Sequence, residues 1–247
     1  MKKIIKVAAV ALCILLLVFG AVFGLAKKKV IFINEWFVNE ANSTIGVDLS
    51  AYQADVDFRQ LKQQGVAFAY VKATEGSAHQ DDRFRENWEK AAAAGLPCGA
   101  YHFFSYDSPG ATQAENFIAA VGPDLSGRLL PVVDVEYYGD KEENPPDKDD
   151  VIRELSAFME AVAAEYGVEP MIYTRSDIYK TYLEGAFDSC KFWMSSLYTP
   201  LGWNYHGDWY LWQYLNRGLL EGVSGGEKYI DLNVLNPEKS LDELTVR

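Results

Sequence analysis

The sequence predicts an α/β barrel built from five strand–helix units followed by three strands. Apolar, strand-like runs alternate with helical patterns between residues 45 and 183, and that alternation implies parallel strands joined by right-handed crossovers. Between residues 191 and 235 the rhythm changes to three more apolar runs separated by Gly, Asn and Pro. Eight strands of this kind can close into a barrel. The run Leu-Leu-Pro-Val-Val-Asp-Val-Glu that ends at Glu136 is apolar almost throughout, as expected of a strand covered on both faces.

The elements follow in order. The first strand covers residues 45–50, and a helix over 57–64 ends at Gly65, a residue suited to a helix C-terminus. The second strand covers 67–73. A helix over 82–94 is closed by Gly95 and Pro97. The third strand covers 98–104, and the helix over 109–121 has Asp107 or Ser108 in position to cap it. The fourth strand covers 129–135. A long helix over 147–166 stops at Gly167, the fifth strand covers 170–174, and a shorter helix covers 176–183. Residues 191–197, 209–215 and 229–235 are the last strands, joined by short connections and open to antiparallel pairing.

Residues 1–29 read as an N-terminal membrane anchor or uncleaved signal. Lys2, Lys3 and Lys6 precede an uncharged stretch from Val7 to Ala26, and Lys27, Lys28 and Lys29 close it. That stretch matches the roughly 20 apolar residues needed to span a bilayer and exceeds the ~7–15 of a signal-peptide core. A retained anchor is therefore expected, with the remaining chain extracytoplasmic, in the periplasm or at the cell surface. Gly24-Leu25-Ala26 is a small-x-small site, so secretion after cleavage is the alternative. Residues 30–44 read as a linker in which Val30 to Ile33 and Trp36 to Val38 are able to pack on the domain. Residues 45–247 form the barrel. About 200 residues suffice for one domain with a sizeable core.

The formal charge of −12 argues against nucleic acid as a partner. Beyond the anchor only Cys98 and Cys190 remain, read as free thiols. Aromatic residues make up 14%, including six Trp and fifteen Tyr, a composition that suits sugar binding as well as ordinary packing.

Strand side chains alternate faces, so Asp134 and Glu136 point to the same side. Carboxylates at the end of an apolar strand are costly unless they have work to do. Asp48 lies in the first strand between Val47 and Leu49, and Asp231 in the last between Ile230 and Leu232, with Asn233 on the same face. First and last strands are neighbours in a closed barrel, and chemistry in such barrels sits at the C-terminal ends of the strands. Four acids lining one cavity repel each other, which raises at least one pKa and keeps a general acid protonated near neutrality.

These residues belong to a wider set: Gly46-Val-Asp-Leu-Ser50, Val71-Lys-Ala-Thr-Glu-Gly76, Gly99-Ala-Tyr-His-Phe103, Asp134-Val-Glu136, Trp212-Gln-Tyr214 and Asp231-Leu-Asn233. In this order they resemble the family 25 glycoside hydrolases, the Chalaropsis-type lysozymes, over residues 45–235. The resemblance implies a modified TIM-type barrel of five β/α units and three further strands. It implies peptidoglycan glycan strands as partner, cut at the β-1,4 bond between N-acetylmuramic acid and N-acetylglucosamine, with no cofactor and no metal. Glu136 is then the general acid and Asp134 its companion, orienting the substrate's acetamido group. Asp48 and Asp231 are the other active-site carboxylates. Whether a carboxylate activates water or the acetamido group acts as nucleophile stays open. Tyr101, Tyr137 and Trp193 are candidate sugar-stacking faces, and Gln213 a candidate partner for sugar hydroxyls; packing in the barrel is the competing role for each. Glu75 reads as a loop anchor, His102 as a satisfied core histidine, and the acidic loop 140–150 as a solvated face.

Three other classes compete, one of them a membrane-tethered scaffold that only contacts partner proteins, for or against which the sequence says nothing. A metal-dependent wall deacetylase or amidase would need clustered ligands, whereas His79, His102 and His206 are scattered and no H-E-x-x-H occurs. A non-catalytic peptidoglycan-binding module on the same fold should lack the acid, whereas all four carboxylates are present.

Overall fold

The computed structural model describes residues 2–28 and 31–247. Lys29 and Val30, read above as the end of the anchor and the start of the linker, lie outside the described residues. The strands are β1 (Ile45–Leu49), β2 (Val66–Glu75), β3 (His79–Gln80), β4 (Cys98–Phe103), β5 (Val132–Val135), β6 (Met171–Arg175), β7 (Phe192–Ser195), β8 (Leu211–Gly218) and β9 (Ile230–Leu235). The α-helices are α1 (Lys2–Lys27), α2 (Phe58–Gln63), α3 (Phe84–Ala93), α4 (Gly110–Val121), α5 (Lys148–Tyr166) and the short α6 (Ser176–Ile178).

The strands run β1-β9-β8-β7-β6-β5-β4-β2, and β2 pairs back to β1, so the barrel is closed. The predicted five β/α units followed by three strands are present. The two-residue β3, a hairpin arm on β2, has no apolar run to announce it. All neighbouring pairs from β1 through β2 and β4 to β8 are parallel. Within the closed ring of described strands β9 runs the other way, antiparallel to both β8 and β1. Its first residues therefore lie beside the C-terminal ends of the others. Asp231 reaches the mouth from the start of its strand, in register with Asp48 near the end of β1, not from a C-terminal end as the barrel rule alone would place it.

The barrel interior interleaves large and absent side chains. Gly46 pairs with Phe68 and Gly99 with Tyr70, one on each side of β2. A Cβ at either glycine would lie 2.2 Å from the facing ring, so both rings lean over neighbouring backbone that only glycine leaves clear. Tyr70 then meets Trp193 across the barrel at 5.0 Å between centroids, and Trp193 meets Tyr173 at 4.8 Å. This aromatic layer closes the barrel below the acids.

Most helix boundaries follow the local signals. Asp57 caps α2 and Asp147 caps α5 through their carboxylates, and α5 ends at Gly167 in the left-handed region. The start of α4 differs from expectation. Neither Asp107 nor Ser108 caps it; the N-terminal residue is Pro109, and the Gly110 N–H donates to Glu154 Oε2 of α5 at 2.9 Å. A Cβ on Gly110 would sit 1.7 Å from the Glu154 carbonyl oxygen. The two helices touch so closely that the neighbour supplies the cap, while Asp107 accepts from the Tyr138 hydroxyl.

Residues 31–44, part of the segment read as a linker with apolar residues able to pack on the domain, lie strapped to the barrel in two 3-10 turns, Asn34–Trp36 and Glu40–Asn42. The buried Asn34 donates from Nδ2 to the carbonyls of Ser196 at 2.6 Å and Tyr214 at 2.9 Å. The Tyr214 hydroxyl donates to Glu40 at 2.6 Å. Phe32 packs on Tyr198 at 4.7 Å and beneath the Arg217 guanidinium at 4.6 Å. Helix α1 extends from this strap, with an apolar span from Lys6 to Ala26.

Candidate active site

A cavity of about 230 Å³ opens at the mouth of the barrel, lined among others by Asp48, Asp134, Glu136 and Asp231. The topology explains the convergence. Strand β5 lies opposite β9 around the ring, so Asp134 and Glu136 face the Asp48–Asp231 pair across the opening. An outer lobe of about 650 Å³ shares Glu136, Tyr173, Gln213 and Asp231, and runs past Arg175 to Ala26 at the end of α1.

Gln213 holds one side of the site together. Its Nε2 donates to Asp48 Oδ2 at 3.1 Å and to Asp231 Oδ2 at 3.0 Å. Its Oε1 accepts from the Tyr173 hydroxyl at 2.8 Å and the Ser195 hydroxyl at 3.0 Å. Asn233 donates to Asp48 at 2.7 Å and accepts from the Trp193 indole N–H at 2.8 Å. Burial raises the Asp48 carboxyl against these donors. Burial, then the Asp48 charge, holds Asp231 well above the usual carboxylate range. The two also hydrogen-bond to each other, an arrangement in which one proton is shared between them.

Across the mouth, burial lifts Asp134 well above its ordinary value, with the charges of Glu136 and Asp48 adding to it and Lys72 opposing. Its Oδ1 is buried without a hydrogen-bond partner. An unpartnered buried carboxyl oxygen is costly and marks the place where a ligand group would fit. Glu136, half-buried at the rim, is pushed up by burial to about 7, while the Arg175 guanidinium pulls the other way. Near neutral pH a substantial fraction of Glu136 therefore carries a proton to give.

The other residues singled out by sequence are distributed unevenly. Tyr101 lines the cavity, with its hydroxyl pushed well above the usual range by burial. Trp193 also lines it, but its ring is buried between Tyr70 and Tyr173 and forms floor instead of an open stacking face. Gln213 reaches the cavity with its amide already engaged by protein groups, which makes it a brace for the acids. Tyr137 is not brought to the cavity lining. Its ring packs on Tyr106 and Tyr182, and its hydroxyl meets that of Tyr182 at 3.3 Å, because the residue after Glu136 points to the other side of the strand end. Glu75 is tied to Lys72 at 2.7 Å. His102 is buried between Thr74 and Gln113 and stacked on Phe158.

Sequence reasoning passed over Lys72, Tyr173 and Arg175, all of which border the two lobes. Lys72 had a legible signal, a lone cation inside the apolar run of β2. Arg175 had none: it ends an ordinary strand, and its pairing with Asp177 at 2.6 Å and Glu142 at 3.2 Å depends on the fold.

Crowded acids have a measurable consequence. Carboxyls whose folded pKa lies above the unfolded value bind more protons in the native state, so they cost stability as pH rises from the ordinary carboxylate range. Replacing Asp231 by Asn removes one such group and keeps an acceptor and shape. Thermal unfolding of Asp231→Asn should show a higher Tm than the unmodified protein at pH 7–8, by about 2–4 °C per kcal/mol of relieved repulsion. The difference should shrink as pH falls toward about 4. A Tm at neutral pH below that of the unmodified chain would mean the pair is a net structural support.

An α/β barrel with facing carboxyl pairs at its mouth, one acid protonated near neutrality, has the equipment of a glycoside hydrolase. Residues 47–223 carry the sequence pattern of glycosyl hydrolases family 25, and the chain belongs to that family. It is 32% identical over 197 residues to the uncharacterized protein YegX of Escherichia coli K12, covering 77% of this chain and 69% of that one. It is 30% identical over 209 residues to Lysozyme M1 of Streptomyces globisporus, covering 77% of this chain and 67% of that one. The solved structure of a family 25 glycosyl hydrolase from Bacillus anthracis matches with a TM-score of 0.73 at 44% identity, covering 81% of this chain and 92% of that one. The resemblance read from the motifs is therefore membership, and the barrel is the fold of that family.

Proposed function

We propose that this glycoside hydrolase is a lysozyme, an N-acetylmuramidase that hydrolyses the β-1,4 bond between N-acetylmuramic acid and N-acetylglucosamine in peptidoglycan. The observation that carries the reading is Glu136: a carboxyl raised to about 7 by burial, at the rim of a cleft lined by three further acids. In this reading Glu136 protonates the glycosidic oxygen as the bond to the anomeric carbon breaks. Positive charge then develops on the sugar ring, where the negative charge remaining among Asp48, Asp134 and Asp231 stabilises it; water finally adds to the anomeric carbon, and the proton it releases restores the Glu136 acid. The unpartnered oxygen of Asp134 takes up the substrate's acetamido N–H and fixes the ring beside the acid. Asp48 and Asp231, braced by Gln213 and Asn233, form the opposite wall. Tyr101 offers the sugar a ring face. The chemistry asks for no cofactor and no metal.

The barrel works outside the cytoplasm, and α1 stays on the mature chain as a membrane anchor. In support, its apolar residues are almost uniformly exposed over a span from Lys6 to Ala26. That length, roughly 30 Å of helix, suits a bilayer core.

The role of Glu136 is testable through its neighbour. The Arg175 charge favours ionised Glu136, so Arg175→Gln should raise the acid's pKa and move the alkaline limb of the kcat/KM profile to higher pH. An unmoved alkaline limb would separate Glu136 from the proton transfer.

A further inference from the structure

We infer that the barrel face carrying Trp36, Phe37 and Trp203 seats in the interfacial layer of the bilayer that α1 crosses, so that the catalytic cleft opens at the membrane surface. The inference rests on the anchor reading above. Its first support is the tether. Asn34 is fixed to the barrel by two hydrogen bonds to backbone carbonyls. The eight residue steps from Ala26 to Asn34 reach at most about 28 Å fully extended. A domain held so short cannot leave the surface, and in the structure it is closer still: Ala26 is fully buried and forms part of the outer lobe's wall.

The second support is the surface beside the anchor. Trp36 is 71% exposed, Phe37 56% and Trp203 41%. Large aromatics rarely face water in a group without a partner. Here the group is continuous with the span: Trp203 lies 5.6 Å from the Phe23 ring and 6.0 Å from that of Phe37. Phe23 is one helical turn inside the end of the span, about 5 Å below Ala26 along the axis, so its contact with Trp203 puts that indole at the depth of the headgroup boundary. Tryptophan favours that layer, with its ring in the apolar part and its N–H toward water. Attraction of opposite charges does not explain the seat, since the chain carries −12. The outer lobe, which shares Glu136 with the inner cavity, then opens beside the lipid headgroups, and the glycan it receives is the strand lying nearest the membrane.

The test uses the full chain reconstituted in phosphatidylcholine vesicles, with bromine placed on the upper acyl chain in a parallel preparation. Flotation after an alkaline wash reports the anchor, and bromine quenching of tryptophan emission reports the seat. The chain should float, be quenched, and lose more than half of that quenching in the double variant Trp36→Ala/Trp203→Ala, because Trp88, Trp193 and Trp212 are buried in the barrel and the half-buried Trp209 precedes β8, at the end of the barrel away from the mouth. Inserting about twenty Gly/Ser residues after Lys28 should lower quenching without changing flotation. A chain that floats but is not quenched, or is quenched equally in the double variant, overturns the seat and leaves the anchor standing. A chain that fails to float overturns both.

Discussion

Glu136→Gln should fold normally and lose muramidase turnover by 10²- to 10⁴-fold, roughly the contribution of a positioned general acid. Glutamine keeps the shape and the hydrogen-bonding reach but has no proton to deliver. The loss corresponds to about 3–5 kcal/mol of transition-state stabilisation. The pH dependence adds a second signature. An acid pushed up to about 7 makes turnover fall as pH rises through that value, and this alkaline limb should vanish in the residual activity of the variant. Stability should move the other way. The folded pKa of Glu136 exceeds the ordinary carboxylate value, so the native state loses stability as pH rises from that value through about 7. The Gln variant escapes this loss and should be at least as stable as the unmodified protein at pH 8. Steady-state kinetics with a matched thermal melt check both statements, and near-normal turnover would remove Glu136 from the role.

Asp134→Asn should be nearly as damaging to turnover, by roughly 10²–10³-fold, the range for losing one preorganised electrostatic group, while harming the fold little. Asp134 is buried, raised by desolvation and by the charge of Glu136, and carries an oxygen with no protein partner. No described protein group hydrogen-bonds that oxygen, so in the proposed function its partner is the substrate. Asparagine replaces one acceptor oxygen by a donor and cannot carry negative charge beside the reacting sugar. The expected pattern is a fall in kcat with an equal or higher Tm at neutral pH. A variant that melts lower while its folded fraction turns over normally would make Asp134 a strand-end support.

The difference between what sequence shows and what it hides has physical causes. Strands β1, β2, β4, β5 and β6 were legible because each is a short apolar run bounded by a glycine, a proline or a helix cap, and parallel burial leaves little else such a run can be. The four acids were legible for the same reason, as charges at the ends of runs that exclude charge. The reversed direction of β9 was not, since alternation along a strand is the same read from either end. Only pairing shows that Asp231 meets Asp48 from the start of its strand. The cap on α4 was hidden because Glu154, which supplies it, lies 44 residues on. The strap at residues 31–44 looked like a linker because it lacks periodicity. It is held by one buried asparagine and a few rings, contacts that require the finished barrel. Trp193 and Gln213, read as candidates for sugar contact, both line the cavity, but composition alone could not say that one would be floor and the other brace.

In the proposed function this cleft cuts the glycan on one particular side. Digesting purified peptidoglycan with the full-length protein, then reducing and analysing the new ends, reads that directly. The fragments should carry new reducing ends of N-acetylmuramic acid, formed by the unmodified protein and almost absent with Glu136→Gln. New ends of N-acetylglucosamine, release of peptide without new reducing sugar, or no fragments at all would contradict it.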